Sequence, residues 1–135
     1  MRSVAMLLAA SALASCSTPM QTAQRSARGE AQLAELIAGK TPGQPISCLP
    51  GSRSSGMVVI DDDTIAFRDG SKRVYVNHLR GGCNNLDRGW YALVTRTSGS
   101  SGMCRGDIAE VRDVAHGFTV GSCVIGDFVP YTKGG

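Results

Sequence analysis

Four cysteines and two histidines are the side chains best suited to chemistry here, and their spacing decides what kind. Cys48, Cys83, Cys104 and Cys123 stand 35, 21 and 19 residues apart, with no histidine beside any of them. Structural zinc and thiol redox centres both favour close pairs such as C-x-x-C, so this spread fits neither metal ligation nor redox catalysis. No cofactor is implied. His78 ends an alternating apolar run and His116 precedes Gly117 in a turn. A nucleophile needs an adjacent base that a carboxylate orients. The serines of "TSGSSG" (97–102) form no G-x-S-x-G elbow between strand and helix. No catalytic set emerges, and the expectation is a protein that is not an enzyme. Asp61, Asp62 and Asp63 offer the oxygen ligands calcium takes. Three consecutive residues at a strand end cannot all aim at one ion, so a solvated turn is expected instead.

The fifth cysteine, Cys16, follows a different grammar. Met1-Arg2 is a short basic start, Val4 to Ala14 is apolar apart from Ser11, and small residues lead up to the cysteine. That is the three-part pattern of an export signal. The run falls short of the roughly 20 residues a membrane-spanning helix needs. Leu13-Ala14-Ser15-Cys16 resembles the lipobox of bacterial lipoproteins, although a Ser precedes the Cys and only one basic residue precedes the run. The resemblance implies cleavage before Cys16, a diacylglyceryl group and an amide-linked acyl chain on that residue, and a membrane as the first partner. Each buried methylene contributes about 0.8 kcal/mol, so two or more chains anchor the protein stably. Ser17 stands where relatives retained in the inner membrane carry Asp, which points to the outer membrane, facing the periplasm.

Export simplifies the cysteine count. With Cys16 lipidated, four thiols remain in an oxidising compartment, and two disulfides follow. The organisation expected is a signal peptide over 1–15, a flexible tether over 16–28 and one domain over 29–135. Residues 17–28 are small, polar and basic, with almost nothing to bury.

The elements that must position these residues come from periodicity. In "GEAQLAELIAGK", Leu33, Leu36 and Ile37 recur at helical spacing, Glu30 sits in the first turn and Gly39 offers a left-handed stop, so a short helix is expected over 29–39. Its stripe is a docking face, with a membrane-lying or partner-binding helix as the alternative reading. "TPGQPISCLPGSRSSG" carries three Pro and three Gly and is expected to hold no regular element. Beyond it the chain reads as β-structure: "MVVI", a hairpin over Thr64 to Leu79 turning at Asp69-Gly70, "WYALVTRT", "DIAEVRDV" and "FTVGSCVIGDFVPY". In the second arm of the hairpin Val74 and Val76 share one face, and Arg73, Tyr75 and Asn77 the other. The expected fold class is all-β, a small antiparallel barrel or sandwich of five to six strands with one short N-terminal helix. With 3 Phe, 3 Tyr and 1 Trp against 17 Gly in 135 residues, its core is thin. Four cysteines allow three connectivities. An up-and-down strand order favours Cys104–Cys123 across the last hairpin, with Cys48–Cys83 left over.

The region from Ala38 to Tyr131 also resembles a group of small proteobacterial lipoproteins that have no assigned activity. The likeness is carried by "AGKTPGQPISCLP", "IDDDTIAFRDG", Cys83-x-x-Leu86, "MCRGDIAEV" and "GSCVIGDF". It implies location and fold.

Charge narrows the partners. The net charge of +3 falls to +2 once Arg2 leaves with the signal, and basic and acidic residues are interspersed. Nucleic acid rewards a concentrated basic face, so it is not expected as a partner. The expected role is a non-catalytic structural or interaction module of the cell envelope, with an envelope protein as its further partner. The alternatives are a periplasmic small-ligand binder and an inhibitor of a cell-wall-cleaving enzyme such as lysozyme. The inhibitor reading rests on a Ser/Gly-rich loop in "ALVTRTSGSSG" like that of small lipid-anchored lysozyme inhibitors. The stretch "RTSGSSGMCRG" is expected to be mobile and to be the place where binding happens.

Overall fold

Alternation and turn chemistry build the central hairpin as expected. Thr64–Asp69 and Arg73–His78 pair antiparallel along their whole length, and Gly70 takes a φ of 63° in the turn between them. This hairpin lies at the middle of the computed structural model, which describes residues 25–53, 56–97 and 102–134. In chain order the elements are α1 (Ala27–Ile37), β1 (Lys40–Pro42), β2 (Met57–Asp61), β3 (Thr64–Asp69), β4 (Arg73–His78), β5 (Tyr91–Arg96), β6 (Ile108–Asp113), β7 (Thr119–Val124) and β8 (Phe128–Lys133). Single 3-10 turns occupy Gly51–Arg53 and Leu86–Arg88.

The strands form two antiparallel sheets, a five-stranded one in the order β1-β8-β4-β3-β2 and a three-stranded one in the order β5-β6-β7. They do not close into a barrel, so the sandwich alternative holds. Period two sorts the side chains. Ile65, Phe67 and Tyr75 face the small sheet and pack with Val111, Cys123, Ile125 and Phe128 in the main core. Ala66, Val74 and Val76 face the other way, onto Leu36 with Leu33 and Ile37 of α1. The helical stripe is therefore a docking face, and the molecule has three layers: helix, large sheet, small sheet.

Four expectations are corrected. The helix begins two residues early, because Ser26 caps it by accepting from Gly29 N at 3.1 Å and Arg25 holds Asp61 at 2.8 Å. Residues 25–28 thus belong to the domain rather than to a tether. Gly29 is buried where α1 crosses β2; a Cβ there would lie 2.9 Å from Ile60 O. The Pro- and Gly-rich segment does contain a strand, since β1 pairs with β8 and places Pro42 on a sheet edge, where the lost N–H costs no ladder bond. The described residues hold eight strands, not five or six.

The reason for much of that difference lies at 125–127. "FTVGSCVIGDFVPY" is not one strand but two, in different sheets. The buried Asn77 side chain accepts from Gly126 N at 3.1 Å and donates to Gly126 O at 2.8 Å and Asp127 O at 3.2 Å. Gly126 passes so close to β4 that a Cβ would collide with His78 O. A polar residue in a core is stable only with its groups satisfied, and here the satisfaction itself makes the chain change sheets.

The disulfides also differ from expectation: they are Cys48–Cys104 and Cys83–Cys123. In the β6–β7 ladder Cys123 lies opposite Ala109, with its side chain in the core, where fully buried Cys83 meets it. Cys104 precedes β6 and sits in an isolated bridge with Cys48, supported by Leu49 N donating to Met103 O and Arg105 N to Ser47 O. Cys83–Cys123 joins β7 of the small sheet to the chain that follows β4, and Cys48–Cys104 joins the segment after β1 to the one before β6.

Candidate functional site: an apolar rim on the small sheet

Leu86, 2% exposed, pins the 3-10 turn that follows the large sheet, and the turn is bounded by Asn85 at φ 72° and Gly89 at φ 74°. Two left-handed residues in five reverse the chain and release Trp90 outward. Trp90 is 79% exposed although it is the chain's single tryptophan. Its carbonyl accepts from Val114 N at 3.2 Å, which brings the β6–β7 turn alongside it.

That turn is tightly organised. Asp113 Oδ1 accepts from Ala115 N at 2.8 Å and His116 N at 2.9 Å, and His116 Nδ1 lies 3.2 Å away. Asp113 N donates to Phe118 O, and Gly117 at φ 74° completes the reversal. The backbone N–H of His116, then its ring and Ala115 N, hold the Asp113 carboxyl below its ordinary value against the opposing effect of burial. His116 stacks on Phe118 with centroids 6.1 Å apart and planes 9° from parallel. Val114 and Phe118 are left 70% and 68% exposed. Between Trp90 and this turn lies an open cleft of about 490 Å³, lined by Gly89, Trp90, Tyr91 and residues 113–116.

On the outer face of the same sheet, Glu110 lies between Arg112, at 3.0 Å, and Arg96, at 3.2 Å. The Arg112 hydrogen bond first, then the charges of both arginines, keep Glu110 below the usual carboxylate value. Val94, Ile108 and Val120 stand exposed on these strands.

The residues singled out from sequence do not converge on this place. His78 is exposed and has Thr64 Oγ1 3.4 Å from its Nδ1. His116 has a carboxylate beside it, but that carboxylate's oxygen is already taken by two backbone donors, and no Ser, Cys or Lys lines the cleft. The acidic trio is more than a solvated turn. Asp61 receives Arg25 and Asp63 N, while Asp62 receives Asn85 N and Asp87 N and so caps the 3-10 turn. No cluster of three or more His, Cys, Asp or Glu able to hold a metal exists among the described residues. Cys16 and residues 98–101 lie outside the described residues. The adjoining stretch from Gly102 to Cys104, expected to be mobile, is instead tied down by Cys48–Cys104 and by Leu49. The rim itself was missed. Its signal was present, since Trp90 follows Gly89 and Phe118 follows Gly117, so each aromatic stands at a turn and not inside a strand.

Fold and surface together define a small disulfide-bridged β-sandwich whose distinctive surface is apolar. The chain belongs to a family of unknown function, DUF6491, and the match runs over residues 1–133. No curated protein and no solved structure matches it. No helix among the described residues is long and apolar enough to cross a membrane.

Proposed function

We propose that this protein is an envelope lipoprotein, fastened by lipid on Cys16 to the outer membrane and facing the periplasm. It works as a non-catalytic interaction module, and it docks on another envelope component through the small sheet. One observation carries the docking face. Among the described residues, the large apolar side chains left exposed are Trp90, Val94, Ile108, Val114, Phe118 and Val120, and every one belongs to β5, β6, β7 or the turns beside them. Scattered exposed apolar residues need no explanation, but confinement to one of three layers does. The anchor rests on the lipobox-like residues 13–16.

The test pairs metabolic labelling with site-specific photocrosslinking in cells. Labelled palmitate is expected on the chain and absent from Cys16→Ala. A photoreactive residue at Ile108 or Val120 is expected to give defined adducts, and one at exposed Glu35 or Lys72 on the far side none. Unlabelled protein would sink the anchor. Equal adducts on both sides would sink the docking face.

A further inference from the structure

The rim and the point where the chain enters the domain are linked through the β2–β3 turn. Arg25 bonds Asp61 at 2.8 Å and Thr64 Oγ1 at 2.9 Å. The next residue, Asp62, receives Asn85 N and Asp87 N from the 3-10 turn that leads, three residues on, to Trp90. A short bonded path therefore joins the entry point to the rim.

We infer that the Trp90–Val114–Phe118 rim is a bilayer-contacting surface, seated at headgroup depth in the same membrane that holds the lipid on Cys16. This inference rests on the anchor reading above and names the component that the small sheet meets.

Reach is the first argument. Nine residue steps separate Cys16 from Arg25, so even a fully extended chain spans at most about 32 Å. A domain of this size is about 34 Å across. That limit holds for Arg25, so the rim lies no farther from the lipid than this length plus the short path from Arg25 through Asp62 and residues 85–90. Chemistry is the second. Trp, Val and Phe projecting together from adjacent turns match the interfacial preference of aromatic side chains, with the apolar rings buried and the indole N–H left among headgroups. Charge is the third. Asp87 neighbours Arg88, Asp113 is paired with His116, and Glu110 is held between Arg96 and Arg112. Together Asp87, Glu110 and Asp113 stand against Arg88, Arg96 and Arg112, so these formal charges sum to zero, which suits a zwitterionic phospholipid surface and predicts little dependence on salt.

The single tryptophan makes the test direct. The full lipidated chain is reconstituted into phosphatidylethanolamine–phosphatidylcholine vesicles with bromine on the upper acyl chains, and Trp90 emission is read. Expected are a blue shift, quenching by bromine and shielding from aqueous acrylamide, all unchanged by high salt. The double variant V114D/F118D alters two exposed side chains and keeps the reporter; it is expected to return Trp90 to water while thermal unfolding stays as in the parent. Trp90 open to acrylamide in the parent, or quenched equally in parent and double variant, would overturn the inference. So would a Trp90 that is exposed on protein-free vesicles and shielded only in native membranes, which would mark a protein as the occupant. Mass analysis of the Cys16 peptide in the same preparation separates the two readings. An acylated chain with a wet Trp90 defeats the rim and spares the anchor. An unacylated chain whose Trp90 is still quenched by added vesicles defeats the anchor and supports the rim.

Discussion

Asn77 and Gly126 clasp each other across 49 residues of sequence, the side-chain amide of one satisfying both backbone groups of the other. This contact fixes where the chain leaves the small sheet and joins the large one, and it is fully buried at the Asn77 end. Asn77→Ala leaves those buried groups without partners and is expected to cost about 2–4 kcal/mol. Gly126→Ala places a methyl against His78 O and is expected to cost at least as much. Urea unfolding of the oxidised protein measures both; a loss below about 0.5 kcal/mol for either would contradict the clasp.

Peptide mapping without reductant is expected to recover fragments linked Cys48–Cys104 and Cys83–Cys123. Their sequence separations of 56 and 40 residues give about 4 kcal/mol each in the chain-entropy treatment. Replacing Cys83 and Cys123 together by Ala should therefore lower the denaturant midpoint strongly. A Cys104–Cys123 fragment would refute the strand arrangement described above.

Acid should weaken the small sheet first. Glu110 and Asp113 both titrate below their ordinary values of 4.5 and 3.8 when folded. A depressed folded pKa means that the unfolded chain binds more protons. The contribution is therefore complete above the ordinary values and is lost as the pH falls through them toward the folded ones. The urea midpoint is expected to drop on going from about pH 6 to pH 3, and less steeply in Glu110→Gln. Carboxyl titration by NMR would show the shifts themselves. Ordinary values for both groups would remove the effect.

The first turn of α1 depends on Arg25 and Ser26. Ser26→Ala removes the N-cap and is expected to cost about 1 kcal/mol. Arg25→Ala breaks bonds to Asp61 and Thr64 in a half-buried setting and should cost about 1–2 kcal/mol. Hydrogen exchange should rise in α1 well before β3 or β4; uniform exchange across the domain would show that the helix is not a separately weakened layer.

Much of the architecture was legible in local pattern. The three-residue stripe of α1, the Asp-Gly turn, and the two faces of β4 depend on the helical and strand periods, which neighbouring residues carry. Even Asn77 could be placed on its face. The partner it would find there could not be read, because Gly126 reaches it only through the tertiary fold. Asp61 and Asp62 show the same limit. Composition marked them as turn residues, whereas the donors that occupy them come from Arg25 and from residues 85 and 87.

By itself the sequence determined that the chain beyond residue 56 is built of strands, which faces of the helix and of the central hairpin are apolar, and that four cysteines stand in an even set. The division of strands between two sheets, the pairing of those cysteines and the gathering of Trp90, Val114 and Phe118 on one rim were decided only by the tertiary structure. The physical reason is that periodicity acts over a few residues. Which sheet a strand joins is settled by backbone ladders and side-chain clasps between residues tens of positions apart, and a single buried amide can redirect the chain from one sheet to the other.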